Sequence, residues 1–248
     1  MRALITGASS GIGRDIAREL DKRGYDLILV SRDKEKLESV KKTLRGKNIE
    51  IIPMDLEIAE NCKKLHEMTG EIDILINNAG FGVFGNFTET DLDKEISLIN
   101  TNITAVHILT KLYLKDMVKK NSGHILNVAS IAGFMPGPLM EGYYASKAYV
   151  VRLTEGIRAE LKKAKSKVTL SLLCPGPVNT NFNNVAGVKF NLYSLSSEKV
   201  AKYAVDKMLK NKFMIVPGIG IKILRVLAKI SPNNITSKLV YLMQERKR

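Results

Sequence analysis

Short, nearly continuous apolar runs alternate along the chain with longer segments whose apolar residues recur every three or four positions. The runs at 2–6, 26–31, 49–54, 73–77, 123–129, 168–174 and 212–216 predict seven β-strands. Stretches such as "DLILV", "DILIN" and "VTLSLLC" lack the polar alternation that one wet face imposes, so these strands are expected to be covered on both faces, as in a parallel sheet. Between them, Ile12, Ile16, Ala17 and Leu20 recur at helical spacing, and similar patterns run through 33–45, 88–120, 143–165 and 197–210. Strand followed by helix, repeated this often, predicts an α/β fold with a doubly wound, mostly parallel seven-stranded sheet and helices on both faces. After 212–216 the pattern changes. Two short helical segments follow, split by Ser231-Pro232, which read as an N-cap and a first helical position.

Composition narrows this picture without changing it. A chain of 248 residues, 45% hydrophobic and 26% charged, suits one globular domain over 1–248, with a core of about 2–217 and a helical tail of about 218–248. The two cysteines, Cys62 and Cys174, form neither a CxxC pair nor a metal-type cluster, so a reducing, cytoplasmic setting is expected and no metal. The first strand leads directly into a glycine loop, so no signal peptide is expected. No apolar run reaches the roughly 18 residues that span a bilayer. The nearest, "FMIVPGIGIKILRVLAKI", is interrupted by Pro217, Lys222, Arg225 and Lys229. The net charge of +14, from 39 Lys and Arg against 25 Asp and Glu, favours anionic ligands, but no nucleic-acid module or interleaved aromatic pattern accompanies it. Nucleic acid is therefore not an expected partner.

The candidate chemistry begins with "TGASSGIG" at 6–13, which leaves a strand and opens a helix. Helix N-termini expose unpaired N–H groups and the positive end of the helix dipole, and glycines allow a diphosphate to approach the backbone. Gly7, Ser9, Ser10, Gly11, Ile12 and Gly13 therefore read as a phosphate cradle, of the kind found in Rossmann folds. Gly7 to Gly11 also spell G-x-S-x-G, but a hydrolase elbow needs an acid and then a histidine downstream. The last histidine is His124, at the start of a predicted strand. At the end of the second strand, Ser31 and Arg32 occupy the place where a carboxylate would take a ribose 2′-hydroxyl and a basic residue a 2′-phosphate. This favours NADP(H) over NAD(H), with Asp33 as the neighbouring carboxylate.

Further residues extend the pattern: Asp55-Leu56, "NNAG" at 77–80, "NTN" at 100–102, Ser130, Tyr143 four residues before Lys147, and "PGPVNT" at 175–180. In this order and spacing, over about residues 2–217, the chain resembles the classical short-chain dehydrogenase/reductase family. The resemblance implies a catalytic set of Asn102, Ser130, Tyr143 and Lys147, with Asn100 as a rival to Asn102. It implies that Asp55 and Leu56 border the adenine and that Asn78, Ala79 and Gly80 line the cofactor. It also implies that the segment beginning Pro175-Gly176 holds the nicotinamide, with Val178 and Thr180 near the carboxamide. The tail departs from the glycine-rich ending of bacterial acyl-carrier-protein reductases and is similar to the branch containing hydroxysteroid dehydrogenases and long-chain ketoacyl reductases.

Reducing a ketone needs a hydride at carbon and a proton at oxygen, and a nicotinamide supplies only the hydride. Tyr143 starts from a pKa near 10. One helical turn away, Lys147 would favour the phenolate by about 4 kcal/mol at roughly 4 Å and an effective dielectric near 20. That is enough to lower the phenol pKa by up to about 3 before burial opposes it. Ser130 would polarise the substrate oxygen, and the resemblance implies that Asn102 supports a water chain from Lys147. Tyr144 is expected to be a packing residue.

The expected activity is thus NADP(H)-dependent interconversion of a ketone and a secondary alcohol. Phe182, Val185, Val188, Phe190, Leu192 and Tyr193, in the region that is the substrate lid in the family, suggest an apolar alicyclic, aromatic or acyl substrate. A 3-oxoacyl thioester reductase and a non-catalytic NADP-binding sensor are the alternatives. A homodimer or homotetramer is expected. In the tail, Lys222, Arg225 and Lys229 share one helical face while Ile219, Ile223, Leu224, Val226, Leu227 and Ile230 cover the rest. Packing of this helix on the domain or on a second subunit is expected ahead of peripheral membrane contact.

Overall fold

A computed structural model describes residues 1–180 and 194–245. Among these, β1 (Arg2–Thr6), β2 (Asp26–Ser31), β3 (Ile49–Pro53), β4 (Ile74–Asn77), β5 (His124–Val128), β6 (Thr169–Leu173) and β9 (Met214–Ile215) form one sheet in the order β3-β2-β1-β4-β5-β6-β9. Every neighbouring pair is parallel. The order reverses direction beside β1, between β1 and β4, so the crevice at the carboxyl ends of these strands is where a doubly wound fold binds ligands.

The apolar runs become strands because alternate residues enter two different cores. Ala3 and Ile5 of β1, with Leu27 and Leu29 of β2, face one side, whereas Leu4, Ile28 and Val30 face the other. On the first side lie α1 (Gly11–Asp21), α2 (Lys34–Lys42) and α7 (Ser197–Met208), which contribute Ile16, Leu20, Leu37 and Val205. On the second lie α3 (Ala59–Thr69), α5 (Val106–Lys120) and α6 (Glu141–Lys163), which contribute Leu65, Leu109, Tyr113 and Leu161. Both cysteines are fully buried, and burial pushes the thiols up, to about 11 for Cys62 and about 12 for Cys174.

The sequence pattern set strand ends slightly too wide, and at 212–216 only Met214 and Ile215 join the ladder. The pattern at 88–120 resolves into α4 (Leu92–Ile99), a π-helical turn at Asn100–Ala105 and α5. A short parallel ladder of β7 (Val178–Asn179) with β8 (Leu195–Ser196) has no counterpart in the sequence reading. The tail forms α8 (Ile219–Ile230) and α9 (Asn233–Glu245). Here Ser231 ends α8, and the Pro232 carbonyl accepts from the Thr236 amide, so Pro232 lies one position earlier relative to its helix than expected. No helix among the described residues is long and apolar enough to cross a membrane. The expected apolar wall at Phe182, Val185, Val188, Phe190, Leu192 and Tyr193 lies outside the described residues.

Candidate active site

The carboxyl ends of β1, β4, β5 and β6 open into a cleft of ≈ 1730 Å³. Its first wall is the turn between β1 and α1. Gly7 holds φ at +64°, and a Cβ there would meet the Ala79 Cα at 2.9 Å, so no larger residue fits between the turn and the segment after β4. Thr6 braces this junction. Its buried hydroxyl accepts from the amides of Asn78 and Ala79, both at 3.0 Å. The Asn78 side-chain amide donates to the Thr6 and Gly7 carbonyls, so it buttresses the turn as well as lining the cleft. Ser9, Ser10, Gly11 and Ile12 line the cleft at the start of α1, and Gly13 packs against the Gly7 carbonyl. The turn's close approach and free helix start fit a diphosphate.

At the end of β2 the Ser31 hydroxyl donates to Ser9 Oγ at 2.8 Å, joining the two parts of the cradle. Arg32 is exposed at the rim, 3.8 Å from carboxylate oxygens of both Asp55 and Glu57. Pairs this long and exposed are weak. Asp33 is committed elsewhere. It caps α2 by accepting from the Lys36 amide at 2.9 Å and pairs with the Lys36 ammonium at 2.6 Å, and these hydrogen bonds hold its carboxylate below the usual range. Asp55 and Leu56 line the cleft between these groups and the segment after β4, with Asp55 also accepting from the Glu57 amide.

The deeper part is organised by α6 and the end of β5. Ser130 caps a short 3-10 turn at Ile131–Phe134, accepting from the Ala132 amide at 3.1 Å, and its hydroxyl is hydrogen-bonded to that of Tyr143. Tyr143 is partly exposed, facing the cleft, and Lys147 follows one turn later on α6. The Lys147 ammonium lies 5.7 Å from the centre of the Tyr143 ring and donates to the Val128 carbonyl at 3.0 Å. The lysine charge does not dominate as the sequence arithmetic expected. Burial pushes the phenol up to about 12, against the lowering effect of the Ser130 bond, and pushes Lys147 down to about 8.

Asn102, wholly buried, sits in the π-helical turn and does not line the cleft, whereas Gly80 and Lys147 beside it do. Its Oδ1 accepts from the Phe81 amide at 3.1 Å, and its Nδ2 donates to the Phe81 carbonyl at 2.9 Å and to Ser146 Oγ at 3.1 Å. It therefore ties the segment after β4 to the helix carrying Tyr143 and Lys147. A Cβ on Gly80 would come within 2.8 Å of Asn102 Oδ1 and 3.3 Å of the Lys147 ammonium, so only glycine fits there without displacing both. Asn100 lies two residues earlier in the same turn and does not line the cleft. On the opposite wall Pro175, Gly176, Val178 and Thr180 line the cleft, and the Ile131 amide donates to the Pro175 carbonyl.

Sequence reasoning missed two groups. Phe84 and Met140 pack with Tyr143 and Tyr144 to form an apolar floor. The tail closes the far side, where Leu224, Leu227, Leu239, Leu242 and Gln244 line the cleft. Gln244, almost fully buried, donates to the Tyr144 hydroxyl at 2.8 Å, so Tyr144 anchors the tail as well as packing. Only the helical periodicity of the tail hinted at this; the partners are 100 residues apart.

A parallel doubly wound sheet with a glycine turn entering its first helix, beside the point where strand order reverses, is the architecture of dinucleotide-binding proteins. The family described as short chain dehydrogenase matches residues 1–189. An uncharacterized oxidoreductase of Staphylococcus aureus strain MRSA252 is 36% identical over 182 residues, covering 72% of this chain and 78% of that relative. A short-chain dehydrogenase from Sphingobium yanoikuyae in complex with NADPH superposes with a TM-score of 0.82 at 30% identity, over 88% of each chain. One from Burkholderia phymatum in complex with NAD also has a TM-score of 0.82, at 28% identity over 91% of this chain and 92% of that one. The chain belongs to the short-chain dehydrogenase family of oxidoreductases. The two complexes support a nicotinamide cofactor and divide between its phosphorylated and unphosphorylated forms.

Proposed function

We propose that this protein is an NADP(H)-dependent oxidoreductase that interconverts an apolar ketone and its secondary alcohol, with Tyr143 as the proton-transferring group. The observation that carries the reading is the hydrogen-bonded pair of Ser130 and Tyr143 hydroxyls, facing into the cleft that the glycine turn borders. When bound, the nicotinamide supplies or accepts the hydride. The amides at the start of α1, from Ser9 to Gly13, would hold its diphosphate, and Asp55 and Leu56 would border the adenine. Asn78, Ala79, Gly80 and the segment from Pro175 to Thr180 would flank its ring end.

In the reducing direction Ser130 donates a hydrogen bond to the carbonyl oxygen and Tyr143 gives that oxygen a proton. A phenol at about 12 is fully protonated at neutral pH and so is ready to donate. Lys147, at about 8, is mostly charged at neutral pH and stabilises the phenolate left behind. Asn102 acts as a positioning residue that holds the α6 end of this set against the β4 end, and we assign the proton path to solvent to the same region. The floor of Phe84 and Met140 and the leucines of the tail favour an apolar alicyclic, aromatic or acyl substrate. The whole chain is read as one functional unit in a reducing, cytoplasmic setting. Apolar residues left exposed on α4, namely Leu92, Ile96 and Ile99, would serve subunit pairing.

Two arguments favour the phosphorylated cofactor. Asp33, the carboxylate best placed to take ribose hydroxyls, is already used as the cap of α2. Arg32 is held at the rim only by long contacts and can turn to a 2′-phosphate. Comparison of kcat/KM for NADPH and NADH in wild type and Arg32→Ala is expected to show a preference for NADPH that falls about tenfold in the variant. A wild-type preference for NADH would reverse the assignment.

The decisive experiment follows ketone-dependent NADPH oxidation over a panel of alicyclic, aromatic and acyl-thioester carbonyls. Tyr143→Phe is expected to lower kcat by at least about 100-fold while cofactor binding persists. Equal rates in the two proteins would leave a cofactor-binding sensor as the better reading, and activity confined to thioesters would select the 3-oxoacyl reductase.

A further inference from the structure

Four large apolar side chains of α8, Ile219, Ile223, Val226 and Ile230, follow the i, i+4, i+7, i+11 spacing of one helical stripe. They are between 56% and 77% exposed, and none lines the cleft. The stripe points away from the domain, because Ile221 on the other side of the helix is the residue packed against Gly176. The same spacing recurs on α9 at Ile235, Leu239 and Leu242, between 48% and 57% exposed. Leu239 and Leu242 belong both to the mouth of the cleft and to a shallow apolar groove completed by Asn234, Ile235 and Lys238. Exposed apolar stripes of this kind mark an interaction site.

Charge distinguishes a second copy from a lipid surface. Residues 219–248 carry seven Lys and Arg against a single acid, Glu245. Lys222 and Lys229 lie beside the α8 stripe at i+3 and i+10 from Ile219, and Lys238 lies beside that of α9. All three are exposed. Two copies meeting through this surface would bring like charges together, whereas an anionic bilayer matches both the apolar stripe and its basic flanks.

We propose that α8 and α9 form a docking surface for an anionic lipid bilayer. The isoleucine–valine stripe enters the boundary between headgroups and acyl chains, and Lys222, Lys229 and Lys238 meet lipid phosphates. The α8 stripe lines no part of the cleft that holds Ser130, Tyr143 and Lys147, and docking does not depend on the reaction assigned to that site.

The test is flotation of the full chain with vesicles of phosphatidylcholine alone and of phosphatidylcholine with about one-third phosphatidylglycerol, a content that gives a strongly negative surface. Wild type is expected to float with the anionic vesicles and to remain largely in solution with the neutral ones. Val226→Glu/Ile230→Glu and, separately, Lys222→Glu/Lys229→Glu are each expected to reduce partitioning about tenfold or more, with unchanged far-ultraviolet circular dichroism. The proposal is overturned if wild type stays in solution with both vesicles, floats equally with both, or is matched by either variant. It is also overturned if sedimentation without lipid finds a dimer that Val226→Glu/Ile230→Glu dissociates, because the stripe then belongs to a second copy.

Discussion

Tyr143 illustrates how a single side chain's surroundings set a direction as well as a role. With the chain's own groups around it, burial raises the phenol to about 12, so the acid form prevails through neutral pH. Reduction uses that form and alcohol oxidation uses the phenolate. Initial rates of oxidation are therefore expected to rise with pH, approaching about tenfold per unit below the phenol pKa, while reduction stays flat from pH 6 to about 8. Stopped assays in both directions across pH 6 to 10 check this; oxidation that is independent of pH would remove Tyr143 as the base. The pairing of Tyr143 with Lys147 was legible from a four-residue spacing because both sit on one helix. Thr6 and Gln244 were not recognised, since their partners, Asn78 and Tyr144, lie 72 and 100 residues away and no local pattern encodes such contacts. Helical spacing encodes the nearness of the Lys147 charge to Tyr143, whereas the burial that opposes it comes in part from segments distant in sequence.

Among the elements, buried parallel strands were the most legible, because covering on both faces produces apolar runs that water would not permit. Their ends were less so, since burial and inter-strand hydrogen bonding continue one residue past the strand itself, as at Ala129 and Cys174, whose amides donate to the Leu173 and Ile215 carbonyls. The π-helical turn at Asn100–Ala105 kept a helical pattern and gave no separate signal, yet it carries the asparagine that joins β4 to α6. The junction of β5 and β6 makes its own prediction. His124, at the start of β5, is bonded to Thr169 and to Ser171 Oγ, and burial lowers its pKa to about 4. An unfolded histidine near 6.5 takes up a proton as pH falls before the folded one does, so stability is lost between about pH 6.5 and 4. At pH 5 this group alone is expected to cost about 2 kcal/mol. Urea midpoints at pH 7 and 5 should fall less in His124→Gln than in wild type, and an equal fall would assign the acid sensitivity to other groups.

At the scale of the whole molecule, the doubly wound sheet explains why the glycine turn, Ser130 and Tyr143 meet although they are scattered along the chain. The family match ends at residue 189, whereas the tail that walls the cleft begins at 218, so that wall lies outside the matched residues. Gln244→Ala removes the bond to Tyr144 and is expected to raise KM for bulky ketones several-fold, with kcat for a small ketone unchanged. Steady-state kinetics with one ketone of each size measure this; equal effects on both would mean that the tail does not wall off the substrate.

Cys62 lies on the buried face of α3 and Cys174 just beyond the end of β6, both sealed from water and both with thiols far less acidic than usual. An aromatic disulfide reagent reacts only with thiolate that it can reach. The two sulfurs therefore act as an internal stopwatch: in native buffer their colour should develop no faster than the protein breathes open, and in denaturant both should react at once. Both sit on the face of the sheet covered by α3, α5 and α6, so unequal native rates would identify which part of that layer lifts first, the α3 side or the β6 edge.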